Sequence, residues 1–239
     1  MSLTRFRLLS FACYGTLIDR DSGVAAALRP LALRAGLAIG RAELLAQFDR
    51  HEAAALAAGS GRPYAELLGE AHRELAREWG AICPDEDHLL FARSVAHWPA
   101  FADSAGALQY LQRYFRIFVI SNADRDSIRA SIRRLDARVD AIVAAEDVGS
   151  YKPDRRAFEA LLARAEKLGV AAAQTLHVAH SLPHDLEPAQ AAGIACAWVD
   201  RVAEEPREPP REDPRAREFE YAFRSLAELV MAHQADLRA

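Results

Sequence analysis

Lysine is almost missing from this chain. Of its 239 residues, 30 are Lys or Arg, and only Lys152 and Lys167 are lysines. Arg and Lys are not interchangeable where a compact ammonium charge is needed, so a lysine on an arginine background invites a reason. Cysteine is scarce as well. Cys13, Cys83 and Cys196 are odd in number, and their spacing fits neither a disulfide framework nor a zinc site. There is no basic excess: the formal net charge is −4, which excludes a nucleic-acid footprint as the main theme. No apolar run reaches the roughly 18 residues of a membrane span, so no membrane partner is expected. The opening residues, MSLTRFRLLSFACYG, contain neither an h-region nor a small-residue cleavage site. A reduced, cytoplasmic, globular protein is the expectation. Hydrophobic residues make up 51%, enough to build a core without a disulfide or metal staple.

What is present is an α/β pattern with a helical interruption. Residues 5–11 read as a buried first strand, followed by a glycine-containing loop. Four amphipathic stretches follow at about 24–35, 41–57, 63–79 and 85–97, with no strand signal between them. Helix and strand then alternate, with strands at 116–120, 140–144, 175–179 and 194–199 and helices at 104–114, 124–134, 154–168 and 185–192. That series implies a doubly wound parallel sheet. The expected organisation is a core domain of residues 1–19 and 99–239 with a helical cap of residues 20–98 inserted in it. Residues 203–218 are charged and proline-rich and read as an exposed loop, and 223–237 as a closing helix.

Ligands of such sheets bind outside the carboxyl ends of the strands. The informative residues are therefore those from Ala12 to Thr16, Ser121-Asn122, Lys152, and His180 to Asp185. In order, these segments resemble the four motifs of the haloacid dehalogenase superfamily, over nearly the whole chain. Phe11-Ala12-Cys13-Tyr14-Gly15-Thr16-Leu17 resembles motif I, which in the L-2-haloacid dehalogenase branch runs Asp-x-Tyr-Gly-Thr-Leu. Ser121-Asn122 resembles motif II, Lys152-Pro153 motif III, and His180-Ser181-Leu182-Pro183-His184-Asp185 motif IV. The inserted helices resemble the cap of that superfamily.

The resemblance implies an Asp nucleophile that attacks carbon and forms an ester later cleaved by water. Here that position is Ala12, whose methyl group attacks nothing. Two origins compete: a natural loss of catalysis, or an Asp replaced by design to trap substrate. The survival of the other motif residues favours the second. The resemblance further implies that Lys152 keeps the nucleophile ionised and that Thr16 positions its loop. It has Asp185 orient Lys152 or the hydrolytic water. Tyr14, Ser121, Asn122, His180 and Ser181 would bind the substrate, with Ser121 and Asn122 helped by the helix that follows them. A cap arginine would hold the leaving group; Arg50 is the candidate, with Arg41 competing. Without a carboxylate at position 12, Lys152 is expected to lose its nearest counter-charge. Cys13, next along an extended segment, is expected to point away from the cleft.

Superfamily phosphatases carry a second Asp two residues after the nucleophile and an acidic residue early in motif IV to hold magnesium. Here those positions are Tyr14 and His180. No metal or other cofactor is therefore expected, magnesium entering only if the protein is a phosphatase. Departures from the dehalogenase pattern, at Phe158, His180 and Leu182, leave the leaving group open between a halide and the nitrogen of a strained ring. Three functions stand side by side: a hydrolase cutting a bond alpha to a carboxylate, a magnesium-dependent phosphatase, and a non-catalytic anion-binding protein. The resemblance also implies a homodimer.

Overall fold

The computed structural model describes residues 2–59, 62–201 and 219–239. Among them, six parallel strands form one sheet in the order β3-β2-β1-β4-β5-β6. They are β1 (Leu8–Ala12), β2 (Arg116–Ser121), β3 (Ala141–Ala144), β4 (Thr175–Ala179), β5 (Ala195–Val199) and β6 (Tyr221–Phe223). With helices on the sheet and the crossovers running through them, this is the expected doubly wound α/β fold. The central strands are buried along their whole length, as strands covered on both faces must be.

Side chains alternate between the faces of β1. Leu8 and Ala12 join one apolar cluster with Phe118, Phe158 and Leu186, while Leu9, Phe11 and Cys13 join the other. After β1 the chain folds into a tight loop in which the Cys13 carbonyl accepts from the backbone N–H of Leu17 and Ile18, at 2.8 and 3.0 Å. Gly15 closes it at φ +78°, a conformation that suits a residue without Cβ.

Four helices precede β2: α1 (Arg20–Arg34), α2 (Arg41–Ala58), α3 (Tyr64–Glu78) and α4 (Asp85–Ser94). α2 packs on α1 and α3, and α4 on α1 and α3. The remaining helices are α5 (Ser104–Leu111), α6 (Arg125–Leu135), α7 (Ala145–Val148), α8 (Arg156–Glu166), α9 (Glu187–Ala191) and α10 (Leu226–Asp236). The chain enters and leaves the four-helix bundle side by side. Asp19 N–H donates to Pro99 O, Phe101 N–H donates to Leu17 O, and Ile18 bridges Ala100 antiparallel.

Three local expectations are corrected. The helix expected over 185–192 is a wide turn at Leu182–Leu186 followed by α9, with Ser181 as its cap. Asp185 thus sits inside the turn. The closing helix begins at Leu226, because Tyr221–Phe223 pairs with β5 as a sixth strand too short to show alternation. The fourth inserted helix ends at Ser94, continued by a single tighter turn, Val95–His97. The charged loop expected at 203–218 lies outside the described residues.

At the foot of the bundle, Gly23 in α1 lies against Trp98. A Cβ at Gly23 would fall 2.2 Å from Trp98 Cγ. Gly23→Ala gains up to about 1 kcal/mol of helix propensity, yet overpacking of this kind costs about 1–3 kcal/mol. The variant is expected to unfold at lower urea concentration than the parent. A higher midpoint would show that Trp98 moves aside freely.

Candidate functional site

A cleft of about 730 Å³ opens between the carboxyl ends of the strands and the bundle. Its floor is built around one buried ion pair. Lys152, in the loop before α8, places Nζ 2.5 Å from Asp185 Oδ1 in the turn after β4. Both side chains are under 10% exposed. Nζ also donates to the carbonyl of Ile120 at 3.5 Å, the residue opposite Ala12 in the β1–β2 ladder. Burial alone would push the Asp185 carboxyl up. The Lys152 ammonium outweighs it and holds the group down at about 2.

Asn122 holds the lysine's backbone. Its Oδ1 accepts from Lys152 N–H at 2.7 Å and its Nδ2 donates to Lys152 O at 3.3 Å. Both ends of the amide are thereby used in positioning. Ser121 Oγ accepts from Ala123 N–H at 3.2 Å, which leaves its proton for a ligand. The expected help from the following helix is corrected. Asp124 caps α6, accepting from Ser127 N–H at 2.8 Å, so the helix start already carries a carboxylate.

Thr16 is buried, and its Oγ1 accepts from His180 N–H at 3.1 Å, tying the first loop to the end of β4. Tyr14 lines the cleft with its ring, but its hydroxyl donates inward to Ser131 Oγ at 3.1 Å, since the Ser131 proton goes to Ser127 O. Ser181 Oγ accepts from His184 N–H at 3.3 Å. His180 and Ser181 both face the cleft. Ala12 is buried in the apolar cluster on the same face as the ion pair. Cys13 lies on the other face, and burial pushes its thiol up to about 12, far from the thiolate a nucleophile needs.

Two expectations fail on geometry. Arg50 points away from the cleft to Glu78 at 3.0 Å and is well exposed. The arginines that do line the cleft are Arg20, Arg41, Arg201 and Arg224. Lys152 is also not left without a counter-charge, because Asp185 supplies it.

Several participants were not foreseen. His177 lies at the centre of β4, with Nδ1 2.9 Å from Ser10 Oγ and Nε2 3.4 Å from Asp185 Oδ1, too poorly aligned for a hydrogen bond. Burial holds its ring below the usual histidine range. A lone histidine in an apolar strand was the available signal. In the roof, Arg20 meets Asp49 and Glu52, each at 2.6 Å, and Tyr64 O–H donates to Glu52 at 2.6 Å. Arg201, at the end of β5, donates to Thr16 O and to Asp103 and lies 4.2 Å over the Phe101 ring. It could have been found by the same strand-end rule that found the others.

Magnesium fits this donor set poorly. Position 12 is Ala, position 14 is Tyr, the motif IV start is His180, and Asp185 is engaged by Lys152. Among the described residues, no three or more His, Cys, Asp or Glu side chains are gathered where they could hold a metal. Magnesium prefers carboxylate oxygens and water.

Comparison with known proteins gives these results. A family model described as haloacid dehalogenase-like hydrolase matches residues 7–193. A phosphatase of Mycobacterium tuberculosis (strain CDC 1551 / Oshkosh) is 30% identical over 151 residues, 59% of this chain. The chain spans about 63% of that curated relative's length. An L-2-haloacid dehalogenase from Xanthobacter autotrophicus, solved with chloropropionic acid covalently bound, superposes with a TM-score of 0.76 at 20% identity, covering 96% of this chain and 98% of that one. The hydrolase YfnB from Bacillus subtilis, solved bound to magnesium, superposes with a TM-score of 0.75 at 20% identity, covering 96% and 99%. At these identities the two structures speak for the fold. No helix among the described residues is long and apolar enough to cross a membrane.

The ion pair yields a stability test. Breaking a buried pair by removing one partner costs about 3–5 kcal/mol, and Lys152→Met is expected to lose that much at pH 7. Asp185 titrates below its ordinary 3.8, at about 2. Its contribution is therefore complete above about pH 4 and lost as pH falls through about 2. The stability curves of parent and variant, followed by urea unfolding, should converge over that window. A constant gap from pH 7 to pH 2 would assign the loss to packing.

Proposed function

The chain belongs to the haloacid dehalogenase-like hydrolase family, and from that premise we propose a scaffold for metal-free hydrolysis at a carbon alpha to a carboxylate, with the covalent step blocked at Ala12. The observation that carries this reading is the Lys152–Asp185 pair. It lies on the same face of β1 as position 12, and its ammonium bonds the carbonyl opposite that position. An Asp at position 12 would be held ionised there and aimed at a ligand in the cleft. Its oxygen would displace the leaving group from carbon and form an ester, which water would then cleave. In the chain as it stands no such bond forms, and the cleft holds its ligand.

The substrate carboxylate is assigned to the Ser121 hydroxyl and to Arg41, whose guanidinium lines the cleft and donates to Ser22 Oγ at 2.9 Å. The four-helix bundle serves as the cap over the ligand. We read Ala12 as standing in for an Asp, and the ligand as a small 2-substituted carboxylic acid. The relative described as a phosphatase supports a second reading, phosphate ester hydrolysis with magnesium, against which stands the poor donor set.

Ala12→Asp is expected to raise turnover of 2-haloacids or small cyclic amino acids by roughly 10⁴-fold or more over the parent chain, on the scale of nucleophile losses elsewhere. Chelation with EDTA should leave that rate unchanged. If the variant instead hydrolyses phosphate esters only with magnesium, and turns over no 2-substituted acid, the phosphatase reading replaces this one.

A further inference from the structure

We propose that His72 and His88 form an acid-sensitive clasp in the helical bundle: their mutual hydrogen bond joins α3 to α4 near neutral pH, and the two helices loosen when both rings carry an added proton. Neither residue lines the cleft, and the clasp acts whatever the cleft binds.

Both rings take positions that helical spacing reserves for apolar side chains. His72 shares the buried stripe of α3 with Leu68, Ala71 and Leu75, and His88 shares that of α4 with Phe91 and Ala92. The helices approach closely at this height. Gly69, three residues before His72, would place a Cβ 3.5 Å from the His88 carbonyl oxygen and 3.8 Å from Ala92 Cβ. His72 Nδ1 and His88 Nδ1 lie 2.7 Å apart, and the two residues are 4% and 5% exposed. The His72 ring stacks on Phe91 with 4.6 Å between centroids, and Phe91 meets Phe48 of α2 at 5.2 Å.

A bond between two Nδ1 atoms is sensitive to the number of protons. One ring must donate and the other accept, and a neutral pair does this with opposite tautomers. A pair with one added proton keeps the bond, since the charged ring donates. With two added protons both Nδ1 atoms are donors, and two cations face each other at 2.7 Å. Neighbouring charges give little relief. Arg34 of α1 and Arg73 and Arg77 of α3 oppose protonation of the pair, whereas Asp85 and Asp87 of α4 favour it. Each of these carboxylates already has an arginine: Asp87 pairs with Arg34, and Asp85 with Arg73 at 3.2 Å. From α2, Arg50 and His51 meet Glu78 at the end of α3, and His97, in the turn packed on α4, meets Arg134 of α6. Burial, and after it the neighbouring His88, hold His72 down at about 4, and burial lowers His88 as well. Once the helices part, the rings take protons at the ordinary 6.5, so the open state binds more protons and acid favours it. α3 begins at Tyr64, whose hydroxyl donates to Glu52 in the roof of the cleft at 2.6 Å. Loosening α3 from α4 therefore reaches the roof.

Amide hydrogen exchange of the full chain, mapped by peptide and corrected for intrinsic rates, tests the clasp. For His72, a fall from the ordinary 6.5 to about 4 makes opening roughly 100-fold easier at pH 4 than at pH 7. Protection over residues 64–94 is expected to drop by that factor. The double variant His72→Asn/His88→Asn puts an amide at each Nδ1 position, and two amides bond each other at either pH. Its protection over the same residues should be nearly equal at pH 7 and pH 4. Burial also lowers His177 in the sheet, so a drop that persists in the double variant belongs elsewhere and overturns the clasp. Undiminished protection of the parent at pH 4 overturns it as well. If the double variant does not fold, a measurement on the parent decides. The ring Cε1–H signals of His72 and His88, found by their contacts with Phe91 and with each other, follow the two protons by NMR. The second ring should take its proton only where protection is lost. Both rings charged with α3 and α4 still protected, or protection lost with both rings neutral, overturns the inference.

Discussion

The buried pairing of Lys152 with Asp185 is the constraint on which the rest of the site depends. Either ion alone in this interior would cost several kcal/mol, so the loop before α8 and the turn after β4 must close on each other. The supporting bonds follow from that need. Asn122 grips both backbone groups of Lys152, Ile120 lends a carbonyl to Nζ, and His177 lies beneath Asp185 with Ser10 beneath it in turn. Ser10 and His177 are direct partners in the β1–β4 ladder, so the polar row is set by strand register. A one-residue slip would carry it to the opposite face.

Above this floor the charges are compensated in a different way. Arg20 is drawn out of water by the bundle, and burial works against its charge. Glu52 and Asp49 outweigh that and keep the guanidinium firmly protonated. Arg201 does the corresponding work at the hinge, joining the first loop, Asp103 and Phe101, while Asp103 also receives the first N–H groups of α10. The hinge of the bundle and the closing helix thus share one carboxylate. Arg41 differs: its hydrogen bond is to a hydroxyl, and no ion pair to it occurs among the described residues.

The floor was legible in the sequence because its residues sit where chain direction alone puts them, at the carboxyl ends of parallel strands. Lys152 stood out by composition and Asp185 by its place after β4. Their pairing was less legible, since it depends on a turn that the sequence suggested as an ordinary helix. The roof was illegible for a plainer reason. Helical periodicity says which residues share a face, but not what that face looks at. Arg50 and Glu52 are two residues apart in α2, and only the packing of the bundle sends one to Glu78 and the other to Arg20. The contacts of the His180 ring come from the backbone of β5 and its exit, which no side-chain pattern encodes.

Position 12 is where stability and reactivity part. An ammonium that already faces Asp185 would be shared by two carboxylates if residue 12 were Asp, and like charges sharing one partner push one of the pair toward protonation. Folding needs only one carboxylate for this ammonium, and Asp185 supplies it. Alanine removes the second charge and joins the apolar cluster that also holds Phe118, Ile120, Ala179 and Leu186. The remaining motif residues do not depend on position 12 for their partners. Thr16 holds His180, Asn122 holds Lys152, and Lys152 and Asp185 hold each other. Each has a structural task that outlasts the nucleophile. Their survival is accordingly what the fold requires with or without catalysis.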